Sequence, residues 1–243
     1  MPHKDHEHPL LQNEPRDWAA AGVLVALSAL VSVLVAVPSL RDHVQRLDDG
    51  FLRTMASHRT GWLTAIGKVF DVLGSVKVTL PVRILAAAYL AFRRRWWHLA
   101  AFASAVVLAE VVTHVLKASV GRIRPAHPLV HVTGSSFPSG HAVATAVTAV
   151  ALVIAFLPTG RQRAIWGTVA AVFAFLMALS RAYLAAHWLS DAVAGTLIGV
   201  CCALLPALVV EEIRERREAP RPGDRSPPAV PPDGVGGPDS GRM

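Results

Sequence analysis

The chain has 243 residues, 53% of them hydrophobic and 17% charged, with a mean hydropathy of +0.42. Its apolar residues come in long uncharged blocks, not at the helical or strand period of a soluble domain, and this places the chain in the membrane class. The formal net charge of +7 does not mark a nucleic-acid partner, because the basic residues form no aromatic-interleaved patch and several sit at the ends of apolar blocks.

A polar, histidine-rich segment at 1–17 precedes the first apolar block, 18–38, which carries no charged side chain. That block matches the hydrocarbon thickness at helical rise and is too long for a signal-peptide core, so it is expected to remain as an anchor. Residues 41–75 are mixed in character. Within them Trp62, Ile66, Val69, Phe70 and Leu73 recur at helical spacing between Gly61 and Gly74, which predicts an amphipathic helix on the membrane or against the bundle. Further spans are expected at about 76–92, 96–117, 140–157, 164–181 and 187–210, the second of them interrupted by Lys77 and Arg83. The expected fold is all-α: a polytopic bundle of six transmembrane helices over 18–210. Cys201 and Cys202 are adjacent in an apolar run and fit neither a staple nor a zinc site. Residues 211–243 form a tail that becomes rich in Pro, Gly and charge from about 219, a composition that predicts disorder.

Arg93 to Arg95, the pair Arg161 and Arg163, and Arg214, Arg216 and Arg217 occupy three junctions that six spans place on one side with both termini. The excess of basic residues makes that side cytoplasmic in a plasma membrane. The loop 118–139 and the junction 181–187 then face outside.

Ionisable residues beside a span are costly and need a reason. Three groups of them map to the outer face: Lys117 with Arg122 and Arg124, then Pro138-Ser139-Gly140-His141, then Arg181 with His187 and Asp191. Lysine offers a point charge and arginine a planar fork suited to phosphate oxygens. Ser139 is placed to cap the fourth span, and the N–H groups near Gly140 would face an anion with the helix dipole behind them. His187 and Asp191 are four apart and on one helix would share a face, the carboxylate fixing the imidazole tautomer. Such an imidazole can attack phosphorus, and His141 can protonate the leaving oxygen. No carboxylate cluster suits a metal, so a reaction without metal or other cofactor is expected.

Lys117 to Pro125 as KX6RP, PSGH at 138–141 and SRX5HX3D at 180–191 resemble the three signature motifs of the type 2 phosphatidic acid phosphatase (PAP2) superfamily, complete and in order. The resemblance covers roughly 75–210. It implies His187 as nucleophile, Asp191 as its orienting partner, His141 as general acid, and phosphate binding by Lys117, Arg124, Ser139, Gly140 and Arg181. Ile123 and Leu189 stand where many relatives have proline, which bears on loop geometry. The implied substrate is a lipid phosphate or diphosphate, of the undecaprenyl diphosphate, phosphatidic acid, phosphatidylglycerophosphate or diacylglycerol diphosphate type. Two alternatives are a lipid-phosphate binding or transport protein without turnover, and a vanadium haloperoxidase-like enzyme, whose known members are soluble. Outside the motif letters, Arg122 is expected to touch substrate or headgroups, and Glu110 and His114 to form a polar seam on the third span.

Overall fold

Long runs of Ala, Val and Leu oblige the backbone to satisfy its own polar groups in lipid, and a helix does so within one segment. The computed structural model describes residues 8–219, and among them the fold is entirely helical. The helices are α1 (Pro15–Ala36), α2 (Pro38–Ser57), α3 (Gly61–Leu73), α4 (Val76–Phe92), α5 (Trp96–Val120), α6 (Gly140–Phe156), α7 (Arg161–Tyr183) and α8 (Leu189–Glu218). Helices α1, α5, α7 and α8 are long and apolar enough to cross a membrane, and α6 is a shorter apolar helix. The chain is a multi-pass membrane protein. The tail from 220 onward, expected to be disordered, lies outside the described residues.

Helix ends follow local chemistry. Pro15 opens α1, with Asp17 Oδ2 accepting from the Glu14 N–H, and Pro38 forces the break that starts α2. The mixed segment 41–75 resolves into two helices: the charged α2 and the more apolar α3, which Thr60 caps by accepting from the Leu63 N–H. Gly121, at φ 56°, closes α5 in the left-handed conformation that a side chain disfavours.

Helix α8 lies at the centre, packed against α1, α5, α6 and α7. Its approach to α6 depends on Gly195 and Gly199. A Cβ on the first would stand 2.7 Å from the Ser139 carbonyl oxygen, and on the second 2.7 Å from that of Val143. Small residues let the two backbones nearly touch, the usual basis of close helix packing in membranes. This contact brings the start of α6 beside the start of α8, where the Ser139 N–H donates to Asp191 O at 3.1 Å.

Arg83, the residue that interrupts the expected second span, is buried and paired. Its guanidinium donates to Glu110 on α5 (2.7 Å) and to Thr148 on α6 (2.9 Å). The Glu110–His114–Lys117 stripe therefore divides: Glu110 neutralises Arg83, the His114 ring bonds to the Glu110 carbonyl of its own helix, and Lys117 reaches the loop beyond α5. At the opposite end of the bundle, the segment before α1 gathers all three basic clusters. His8 meets Arg95 and Arg214, while Leu10 accepts from Arg163 and donates its N–H to Glu211.

Candidate active site

The end of the bundle away from the basic clusters collects the residues of all three motifs. They come from the end of α5 (Lys117), the loop after it (Arg124), the start of α6 (Ser139, Gly140, His141), the end of α7 (Arg181), the following turn (His187) and the start of α8 (Asp191). Lys117 Nζ and Arg124 Nη2 converge on one carbonyl, Ser135 O, at 2.8 and 3.2 Å. Arg124 is fixed further by Gly134 O, Thr133 O and Ala186 O. Ser139 occupies the N-cap position of α6, but its hydroxyl makes no cap bond, and its buried Oγ has no partner. Gly140 passes close to Lys117, whose Cε would lie 3.9 Å from an added Cβ.

His187 lies in the turn 184–188, outside both flanking helices. Its Nδ1 is 2.6 Å from Ser136 O, and its Nε2 is 3.1 Å from Arg124 Nη1. A carbonyl oxygen only accepts and a guanidinium only donates. The proton therefore sits on Nδ1 and the lone pair on Nε2. Burial pushes the ring's pKa down to about 4 against the opposing pull of Asp191. The sign is that of a base buried neutral: acid lowers stability as pH falls from 6.5 towards 4. Ring ¹⁵N shifts should accordingly show His187 neutral, with hydrogen on Nδ1, from pH 8 to about pH 5. Protonation near the ordinary histidine value would contradict this geometry.

The expected His187–Asp191 pairing takes a different form from two side chains on one helical face. Asp191 Oδ2 is 3.9 Å from His187 Nδ1, because α8 begins only after Trp188. Asp191 instead caps its own helix, accepting from Trp188 N at 3.1 Å, and accepts from Ser136 Oγ at 2.5 Å. Ser136 thus touches both residues, its carbonyl on the imidazole and its hydroxyl on the carboxylate.

Arg122 is buried and paired within the protein. It is 3% exposed, and its fork spans Asp191 Oδ1 (2.6 Å) and Ser190 Oγ (2.7 Å) on one nitrogen, Asp48 Oδ2 (2.7 Å) and Gln45 Oε1 (2.8 Å) on the other. Asp48, on α2, also accepts from the N–H and hydroxyl of Ser190. The outer helix α2 is thereby tied to the start of α8 through buried charge.

A second contact missed in the sequence comes from α3. The Asp71 carboxylate is bonded to Arg181 and lies 3.4 Å from His141 Nε2, which is also 3.2 Å from the Asp71 carbonyl. A signal for it does exist. Gly67, Asp71 and Gly74 fall at i, i+4 and i+7, a stripe that can press close to a neighbour. An added Cβ on Gly67 would meet Leu184 at 3.1 Å, and one on Gly74 would meet Met177 at 2.7 Å and His141 at 3.0 Å.

The similarities to known proteins agree with this arrangement. A match to the PAP2 superfamily covers residues 98–215. Phosphatidylglycerophosphatase B of Bacillus subtilis (strain 168) is 27% identical over 194 residues, 78% of this chain and 96% of its own. Decaprenylphosphoryl-5-phosphoribose phosphatase of Mycobacterium tuberculosis (strain ATCC 25618 / H37Rv) is 32% identical over 186 residues, 74% of this chain and 86% of its own. Among solved structures, the transmembrane PAP2 type phosphatidylglycerolphosphate phosphatase from Bacillus subtilis shares the fold. Its TM-score is 0.63 at 24% identity, covering 83% of this chain and 98% of that one. LpxE of Aquifex aeolicus gives a TM-score of 0.55 at 25% identity, over 66% and 94%. With its three motifs gathered at one end of a helical membrane bundle, the chain belongs to the PAP2 superfamily.

Proposed function

We propose that the protein is a membrane lipid phosphatase that hydrolyses a phosphate monoester or diphosphate through a phosphohistidine on His187. The observation that carries this reading is the state of that ring: neutral, its Nδ1 hydrogen on Ser136 O, its Nε2 lone pair beside Arg124. Lys117, Arg124 and Arg181 converge around it as phosphate ligands, with the unpartnered Ser139 hydroxyl and the backbone at Gly140. In the first step the Nε2 lone pair forms the P–N bond as the P–O bond to the lipid breaks, and the leaving oxygen takes a proton from His141. Water then attacks phosphorus and gives its proton to His141. The P–N bond breaks and its electrons return to Nε2. Asp191 stabilises the positive charge that the ring carries between the two steps.

Three cationic side chains supply the charge stabilisation that metal ions often give phosphoryl transfer. The reaction is therefore proposed to run without metal. Helices α1, α4, α5, α6, α7 and α8 are assigned as six spans, α4 being tolerated because Glu110 neutralises Arg83. The gathered basic clusters support a cytoplasmic location for both termini and an outward-facing site. A lipid head then reaches the pocket while its chains stay in the bilayer. The relatives' names support substrates of the phosphatidylglycerophosphate and polyprenyl classes.

Phosphate release by purified protein from phosphatidic acid, phosphatidylglycerophosphate and undecaprenyl diphosphate, with and without chelator, tests the proposal. At least one substrate should turn over at a rate the chelator leaves unchanged. No release from any of them contradicts the phosphatase reading, and loss of release on chelation contradicts the metal-free mechanism.

A further inference from the structure

Helix α3 lies over the outer end of α7, and its placement is over-determined. Tyr183 Oη meets Thr60 N at 3.2 Å and Thr64 Oγ1 at 3.1 Å, Phe70 packs on Phe173 with ring centroids 5.7 Å apart, and Gly67 and Gly74 allow the close approach. The one carboxylate this helix turns into the site is Asp71, partly exposed between buried Arg181 and partly buried His141. A carboxylate facing a phosphate pocket repels the substrate's charge, so its presence there needs a positive reason. Arg181 alone does not supply one, because a phosphate would satisfy that guanidinium equally well.

We propose that Asp71 is a positioning residue for the acid step: it aims the His141 ring and supplies the counter-charge that keeps the proton His141 gives to the leaving oxygen. The inference rests on the lipid-phosphatase reading. The His141 Nε2 hydrogen is held at Asp71, donated to the Asp71 carbonyl with the carboxylate at 3.4 Å. The other charged groups around His141 are cations: Arg181 from α7, Arg124 from the loop, and Lys117 from α5 beside Gly140. Across the pocket stand His187 and Asp191, the latter already neutralised by Arg122. Asp71 is thus the carboxylate placed to stabilise an imidazolium at position 141 against three positive neighbours. Its backbone and side chain both contact the ring, so the same residue sets orientation and proton affinity.

The discriminating variant is Asp71→Asn, whose amide oxygen still accepts from Arg181 while the charge is gone. Two substrates are compared, a short-chain alkyl phosphate whose alkoxide must be protonated and p-nitrophenyl phosphate whose leaving group needs no acid. Asp71→Asn should slow the alkyl ester about 100-fold and the aryl ester only a few-fold, a general-acid contribution of ordinary size. The alkaline limb of kcat/KM for the alkyl ester should move to lower pH by about one unit. His141→Ala should show the same substrate selectivity, and the double variant should be little worse than His141→Ala alone. Asp71→Glu, which restores the carboxylate, should keep the wild-type ratio between substrates, and that ratio decides the matter if the asparagine variant folds poorly. Equal loss on both substrates with an unshifted alkaline limb, or no loss at all, overturns the proposal while leaving the phosphatase reading intact. A wild-type protein that releases phosphate from neither substrate nor from any of the lipid phosphates overturns the phosphatase reading itself.

Discussion

Replacing His187 with alanine is expected to abolish phosphate release, by at least about 10⁴-fold, because the proposed mechanism gives the covalent bond to phosphorus to its Nε2. Binding of an anion should survive. Lys117, Arg124 and Arg181 belong to other parts of the chain, and Arg124 keeps four carbonyl partners when the imidazole is removed. The vacated space lies in a turn whose backbone is held independently, with Leu129 N–H donating to Leu184 O and Ala186 N–H to Arg181 O. The variant should therefore remain folded and bind inorganic phosphate or vanadate with affinity within a few-fold of wild type. Turnover near the wild-type rate would remove His187 from the mechanism. Joint loss of turnover and anion binding would make it a ligand, not a nucleophile.

Arg122→Leu is the second large effect, and it acts mainly through stability. The substitution leaves Asp48 and Asp191, 2% and 0% exposed, with no cation between them. Breaking a buried pair by removing one partner costs about 3–5 kcal/mol, since the remaining charge is neither solvated nor paired. Here two carboxylates are stranded together. The expected result is a fall in the thermal midpoint in detergent on the order of 10 °C, with loss of turnover as Asp191 shifts away from Ser136 and His187. Lysine should rescue poorly, because one ammonium cannot replace a fork that serves four acceptors on two nitrogens. Asp48→Asn should cost less, since Arg122 keeps Asp191 and the amide oxygen can still accept from Ser190. An Arg122→Leu protein as stable and active as wild type would show this network to be dispensable.

The two networks explain which parts of the molecule were legible in the sequence. An uncharged block such as 18–38 has one physical solution, a helix in lipid, and helices are found where apolar blocks were expected, α8 running on to Glu218. The motif residues were legible because a charge at the end of an apolar run is expensive and must be explained. Asp48 gave no such signal, and Asp71 only the indirect one of its flanking glycines. A carboxylate on an amphipathic helix looks the same whether it faces water or a buried arginine, and only the packing of α2 and α3 over the bundle decides. His187 and Asp191 do come together, Nδ1 to Oδ2 at 3.9 Å, but not on one helix. A spacing of four suggests one helical face, yet the helix starts between the two residues, and the backbone of Ser136 fills the gap. Arg122, expected to touch substrate or headgroups, is instead buried and paired within the protein. Four acceptors from distant segments, Gln45, Asp48, Ser190 and Asp191, hold it there.

Covalent chemistry at His187 is the claim on which the mechanism depends, and trapping the intermediate tests it most directly. Wild-type protein is mixed with a lipid phosphate labelled in its phosphoryl group, quenched within a turnover under alkaline conditions that preserve phosphohistidine, and digested. The mechanism predicts acid-labile label on the peptide that carries His187, and none on that peptide in His187→Ala. Label on another residue, or an active enzyme that never retains label on this peptide, would contradict it.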